Sequence, residues 1–452
     1  MMGTFMATLD SSIVNVALPV IASSLGADLT TIQWVVTAYL LTISSLLPMF
    51  GRIGDMFGRR MIYTHGFLIF TIGSIACAIA SSVGLIIAAR VLQAIGAAMI
   101  MSNSQAIIAV AFPGKERGRA LGLIGTVVAL GSMSGPALGG VLVGAFGWES
   151  IFYVNVPIGL TAFLAGKLIL PDDEERKSES FDFWGAILFS LGMVSLLWVL
   201  SQGHEWGWLS YKSIVFLIVA AISLGAFLFH EQQMAHPMIE LSLFKSWPFT
   251  AGSLTGLLSF MAMFSNTMLM PFYLHSVLNL TPTQMGIVIS PFPIMMAITA
   301  PISGYLSERI NQIYLTTSGL AIVVVGLLYL STLNEQAALW HVAIGQAVMG
   351  LGNGIFQSPN NNSVLNAVPQ KNIGMASGIN ALVRNIGMVS GTAVAVSVFE
   401  NRRQQILNST VSPDSVRLLT AFLEAYHSAL IVGAGFALLA LLISLSRRGY
   451  TK

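Results

Sequence analysis

Residues 113–122 read Pro-Gly-Lys-Glu-Arg-Gly-Arg-Ala-Leu-Gly, and residues 369–378 read Pro-Gln-Lys-Asn-Ile-Gly-Met-Ala-Ser-Gly. At an offset of 256 they share Pro113/Pro369, Lys115/Lys371, Gly118/Gly374, Ala120/Ala376 and Gly122/Gly378. A second echo lies at an offset of 253, where Pro48-x-x-Gly51-x-x-x-Asp55 meets Pro301-x-x-Gly304-x-x-x-Glu308. Each stretch is a polar break between long apolar runs, and the breaks fall at equivalent places in the two halves of the chain. The sequence therefore reads as a duplicated unit in which both copies have the same orientation. Parallel repeats of this kind place a substrate site between the copies in membrane transporters.

Outward from these breaks, apolar runs of about 20 residues cover 1–25, 31–50, 61–80, 83–111, 119–146, 151–170, 183–201, 213–230, 249–275, 283–306, 313–333, 337–363, 374–399 and 422–445. A bilayer offers no water to unpaired backbone groups, so spans must be helices or closed barrels, and these runs are too continuous for barrel strands. The expected fold is an all-α polytopic membrane protein of 14 transmembrane helices. Residues 1–170 form an N-terminal six-helix bundle, 171–248 carry two inserted helices with their linkers, and 249–452 form a C-terminal six-helix bundle.

Composition agrees. Only 9% of the 452 residues are charged while 55% are apolar, and the mean hydropathy is +0.78. Soluble proteins carry about 25% charged residues, so a water-soluble enzyme is excluded. The net charge of +2 comes without a basic cluster, which argues against nucleic acid as a partner. The single cysteine, Cys77, cannot form an internal disulfide, and no Cys/His spacing suggests zinc. The chain opens directly into an apolar run and reads as a first span, not a cleaved leader. Outside the spans, every Lys and Arg except Lys212, Arg402, Arg403 and Arg417 falls on one side of the predicted topology. The positive-inside rule then puts both termini in the cytoplasm and the protein in the cell (inner or plasma) membrane.

Within the runs a few residues stand out. Asp10, in Leu9-Asp10-Ser-Ser-Ile-Val-Asn15, is the one acidic residue well inside a span. A desolvated carboxylate gains by taking up a proton, which makes Asp10 the natural proton carrier. Arg90 lies in the fourth run and Arg384 in the thirteenth. Each marks a cavity or a pairing partner, or else satisfies backbone carbonyls. Counted from the outer helix ends, Asp10 and Arg90 differ in depth by about 10 Å at 1.5 Å per residue, which leaves their pairing open. Asn15 and Gln93 are candidate cavity groups; Trp34 and Tyr39 are either interfacial anchors or cavity walls. His230 and Glu231 read as the solvated end of the eighth helix.

The break Gly51-Arg-Ile-Gly54-Asp55-Met-Phe-Gly58-Arg59-Arg60 reads as a tight glycine turn. Asp55 is expected near the start of the third helix, where it suits the dipole and can pair with Arg59 or with Arg119 of the next polar loop. Such pairs can latch one conformation and release in another. In the fifth run, Gly131, Gly135 and Gly139 recur every four residues beside Pro136 and Gly140. They form a flat stripe for close helix approach, serving either static packing or a sliding contact.

Taken together these residues resemble the major facilitator superfamily, in particular its fourteen-helix drug:proton antiporter branch, over essentially the whole chain. The loop signature is carried by Gly51, Asp55, Gly58, Arg59 and Arg60; the fourth-helix signature by Arg90, Gln93 and Gly96; the antiporter signature by Gly135, Pro136, Gly139 and Gly140; the first-helix signature by Leu9-Asp10 and Ile13–Pro19. The resemblance implies proton-driven export of lipophilic, often cationic, small molecules by alternating access, with Asp10 and Arg90 handling the proton. The implied energy source is the proton gradient, with no cofactor and no metal, and the implied unit is a monomer in a lipid bilayer. A dedicated exporter of one metabolite, lipid or siderophore is the alternative. A non-transporting sensor fits less well, because no loop is long enough for a signalling segment. No phosphate-binding G-x-x-x-x-G-K-[ST] loop is present, which argues against ATP-driven pumping.

Overall fold

The computed structural model describes residues 2–111, 127, 131, 134–170, 182–207, 209–234, 240–307, 309–369, 373–408 and 415–447. The described residues are helices and their connections, with no strand among them. The helices are α1 Met2–Leu25, α2 Trp34–Phe57, α3 Arg59–Ala78, α4 Val83–Ala111, α5 Ser134–Phe146, α6 Asn155–Ile169, α7 Phe183–Trp206, α8 Tyr211–Gln233, α9 Trp247–Ser276, α10 Pro291–Leu306, α11 Gln312–Leu330, α12 Leu339–Asn366, α13 Ile373–Asn408 and α14 Ser415–Ser446. Short helical turns lead into four of them, Leu29–Ile32 before α2, Ser150–Tyr153 before α6, Leu241–Lys245 before α9 and Pro282–Ile289 before α10. All fourteen expected spans are thus present. Twelve segments are long and apolar enough to cross a bilayer. Ser134–Phe146 is the described part of a thirteenth, and α12 is set apart by its amides, among them Gln346, Asn353, Gln357 and Asn360.

Two expectations are corrected. The first concerns Gly51–Arg60, expected to be a loop. Gly51–Phe57 is instead helical, so Asp55 lies in the last turn of α2 and not at the start of α3. No residue there lacks a backbone donor, so the hydrogen-bond ladder runs on until Gly58. The Gly58 N–H still bonds the Gly54 carbonyl at 3.0 Å, and its φ of 109°, open to glycine and strained for other residues, turns the chain into α3. The second concerns the end of α8. Glu231 is only 3% exposed, and His230 Nε2 lies 2.7 Å from Asp182 Oδ1, so this end is packed rather than solvated. Arg119 and the repeat loop 113–122 lie outside the described residues, as do Lys371 and the Asp55 side chain.

By packing the helices sort into two sets. In the first, α3 and α4 are the most intimate neighbours, with α2 on α4 and α6 on α3. In the second, α12 packs on α10 and α11, while α9, α13 and α14 pack on one another. Glycines set the closest crossings, because without a Cβ two backbones can touch. A methyl on Gly96 would fall 2.6 Å from the Gly66 carbonyl oxygen, and one on Gly352 would fall 2.8 Å from that of Gly319. These two crossings are related by the offsets read in the loops, 253 from Gly66 to Gly319 and 256 from Gly96 to Gly352. The α5 stripe follows the same pattern. Gly131, Gly135 and Gly139 face α1 at Phe5, Ser12 and Ile13, while Gly387 and Gly391 of α13 face α9 at Leu257 and Met261.

The two sets meet along two seams. Gly140 of α5 reaches the turn before α10, where its Cα would stand 3.2 Å from a methyl on Gly286 and its carbonyl accepts a hydrogen bond from Thr283 at 3.1 Å. On the other side α2 lies against α13, and α7 packs against both. Ser190 of α7 donates to the Ser45 carbonyl of α2 at 3.0 Å, and Trp198 packs on Trp34 at 4.8 Å between ring centroids.

Candidate functional site

Asp10 sits midway along α1 and is fully buried. A bare carboxylate there would cost several kcal/mol, so the neighbouring helices must supply donors. They do. Arg90 Nη1 of α4 donates to Asp10 Oδ2 at 2.6 Å. Asp10 Oδ1 accepts from Gln93 Nε2 at 2.9 Å and from Asn155 Nδ2, at the start of α6, at 2.8 Å. The Gln93 amide also donates to Ser74 of α3 at 2.7 Å, and its carbonyl accepts from Arg90. The remaining face of the guanidinium is used as well. Arg90 Nε bonds the Val35 carbonyl at 3.0 Å, and its carbon stands 3.8 Å above the Tyr39 ring. Five helices therefore converge on one ion pair. Helix tilt and the length of the arginine side chain close the depth gap that helix counting left between Asp10 and Arg90.

This ion pair lies behind the wall of a cavity of about 180 Å³ at the centre of the molecule. The α1 neighbours of Asp10 line it, including Thr8, Ser11, Ser12 and Asn15, as does Pro136 of α5. The second set of helices contributes Met263, Phe264, Met270, Phe292, Met296 and Met388, together with Asn266, Gln346, Gln357, Arg384 and Asn385. The wall is thus mostly thioether and aromatic, which adapts to varied apolar shapes. Among the described residues its polar groups are neutral except for Arg384, and no carboxylate lines it.

Two lining residues complete the internal symmetry. The offset of 256 carries Asp10 onto Asn266 and Arg90 onto Gln346. Asn266 Nδ2 donates to Gln346 Oε1 at 3.2 Å, so the second half holds a neutral amide pair where the first half holds an ion pair.

Of the residues expected on the cavity wall, Asn15 and Arg384 are there. Trp34, Tyr39 and Gln93 are buried elsewhere, Trp34 against α7 and the other two around Arg90. Arg60 Nη2 donates to the Lys167 carbonyl at 2.5 Å and so ties α3 to the end of α6. Sequence reasoning missed Asn155, Ser74, Asn266 and Gln346. Arg447, near the C-terminus, fell among the cytoplasmic-side cations of the predicted topology. That residue is only 2% exposed and reaches neutral acceptors, Asn360 Oδ1 at 3.2 Å and Thr255 Oγ1 at 3.3 Å. Among the described residues no group of His, Cys, Asp and Glu could hold a metal ion.

Comparison with known proteins bears on this arrangement. The family profile described as Major Facilitator Superfamily matches residues 1–392. The chain is 36% identical over 401 residues to the riboflavin transporter RibZ of Clostridioides difficile (strain 630), covering 88% of this chain and 86% of that protein. It is 35% identical over 398 residues to the multidrug resistance protein Stp of Mycobacterium tuberculosis (strain CDC 1551 / Oshkosh), covering 88% and 74%. Among solved structures, a mutant of the peptide transporter POT in complex with sulfate superimposes with a TM-score of 0.69 at 14% identity, over 99% of this chain and 93% of that one. At that identity the likeness concerns the fold alone.

Proposed function

The chain belongs to the Major Facilitator Superfamily, and from that premise we propose that this membrane transporter is a proton-coupled exporter of lipophilic compounds working by alternating access. The observation that carries the proposal is the Asp10–Arg90 pair sealed directly behind the cavity wall. A proton arriving at Asp10 cancels the charge that holds Arg90, and the guanidinium must then turn to other acceptors. That exchange touches five helices at once, so it can bias one global arrangement over another. The crossing at Gly140 and Gly286 shuts the end opposite the basic breaks, so with both termini cytoplasmic the conformation is closed towards the outside. In this reading residues 1–170 and 249–452 rock about the cavity, residues 171–248 add the inserted pair, and a monomer in the plasma membrane draws on the proton gradient without a cofactor. Asp55, Arg59, Arg60 and Arg119 form the conformational latch.

The test is uphill export in reconstituted vesicles under an imposed pH gradient. Asp10→Asn removes gradient-driven accumulation while downhill exchange persists. Undiminished uphill export by that variant would remove Asp10 from the mechanism. A second reading, transport of a single metabolite, is favoured by the likeness to a riboflavin transporter. A narrow profile over a panel of unrelated lipophilic compounds would select it.

A further inference from the structure

Two donor groups of the cavity wall stand unmatched. Arg384 of α13 lines it and has no hydrogen-bond or ion-pair partner among the described residues. The next residue, Asn385, lines the same cavity, and its buried Nδ2 also lacks a partner. A guanidinium carries five N–H donors and no acceptor. Two nearby amides, Asn266 and Gln346, bond each other instead. Asp10 cannot balance it either, because Asp10 faces Arg90 behind the wall. The net result, among the described residues, is a thioether- and aromatic-rich chamber with one positive charge and no carboxylate on its wall.

An unmade buried donor such as Asn385 Nδ2 is costly, and the half-buried Arg384 beside it brings a full charge to the same wall. A cationic cargo would worsen the situation, because like charges repel strongly where water is scarce. An anionic group would relieve it by accepting from Arg384 and Asn385 together. We propose that the transported compound is an amphiphilic organic anion, such as a carboxylate or an acidic phenolate on an aromatic body. Its acidic oxygens dock on Arg384 and Asn385, and its apolar part lies against Met388, Met263 and Phe264. The inference rests on the transporter reading above and departs from the often cationic cargo that family resemblance implies.

The test uses a matched trio of probes: 2-naphthoate, 2-naphthamide and 2-naphthylmethylammonium. Binding to the purified full chain is measured by calorimetry without a proton gradient, so the result is independent of proton coupling. The wild type should bind the naphthoate about tenfold tighter than the amide, as expected for one charge-assisted contact, and the ammonium most weakly. Arg384→Gln should remove the preference for the acid and change amide binding less than about threefold; Arg384→Lys should retain part of it. Persistence of the preference in Arg384→Gln, or ammonium binding as tight as the acid, would overturn the proposal. Displacement of naphthoate by a short-chain phosphatidylglycerol at equal concentration would overturn it in favour of a lipid anion. Loss of gradient-driven transport with the binding preference intact would refute only the proton-coupled reading.

Discussion

The two halves share a scaffold and differ in charge. The crossing of Gly66 on Gly96 recurs as Gly319 on Gly352, and the α5 stripe against α1 recurs in α13 against α9. Where the first half buries Asp10 against Arg90, the second pairs Asn266 with Gln346. Among the described residues two interior cations of the second half stand without carboxylates, Arg447 held by neutral oxygens and Arg384 facing the cavity, while Arg402 and Arg403 pair with Glu424 and Glu400 away from it. Backbone packing is therefore the duplicated property, and the titratable chemistry is not. Under the proposed mechanism, a fully buried acid behind the first half's wall lets a proton act on one side of the cavity and leaves the opposite wall to the cargo.

The comparison can be broken most severely at the ion pair. Asp10→Asn or Arg90→Gln alone should each cost about 3–5 kcal/mol, because the partner is left charged and buried. The double substitution writes the Asn266–Gln346 pair into the first half and should recover most of that loss while leaving proton coupling absent. Thermal unfolding can be followed through the single thiol, Cys77, which is buried in the folded state. No recovery in the double variant would mean that the two sites are not equivalent. A smaller effect tests the likeness itself. Gly96→Ala and Gly352→Ala should destabilise by similar amounts, about 1–3 kcal/mol each, since each forces a methyl into a backbone contact. A neutral result at one of them would break the structural repeat. Smallest is Asn266→Ala, expected at about 1 kcal/mol by the same assay, because only a neutral hydrogen bond is lost.

Much of the fold was legible because a bilayer restricts the options to helices of a certain length, and Gly, Pro and charged breaks punctuate them. The offsets of 253 and 256 found in the loops reappear in core contacts that no loop pattern displays. The Asp10 site was legible in part. A carboxylate and an arginine are conspicuous in apolar runs, whereas Asn155 and Ser74 are ordinary residues whose importance comes only from the helices they sit on. Asn266 and Gln346 were within reach, since the offset of 256 applied to Asp10 and Arg90 finds them directly. Trp34 and Tyr39 were ambiguous for a physical reason, because aromatic side chains suit a membrane interface, a cavity and a helix seam alike. The continuation of α2 through Gly51 and Gly54 was hidden because glycine weakens a helix without ending it.

The inserted pair of helices has a consequence for motion. α7 is tied to α2 by the Ser190 hydroxyl and the Trp198 indole, and it also packs along α13. If the halves rock as proposed, that tie would carry the inserted pair with the first half, eight helices against six, with the slip plane along the α13 face of α7.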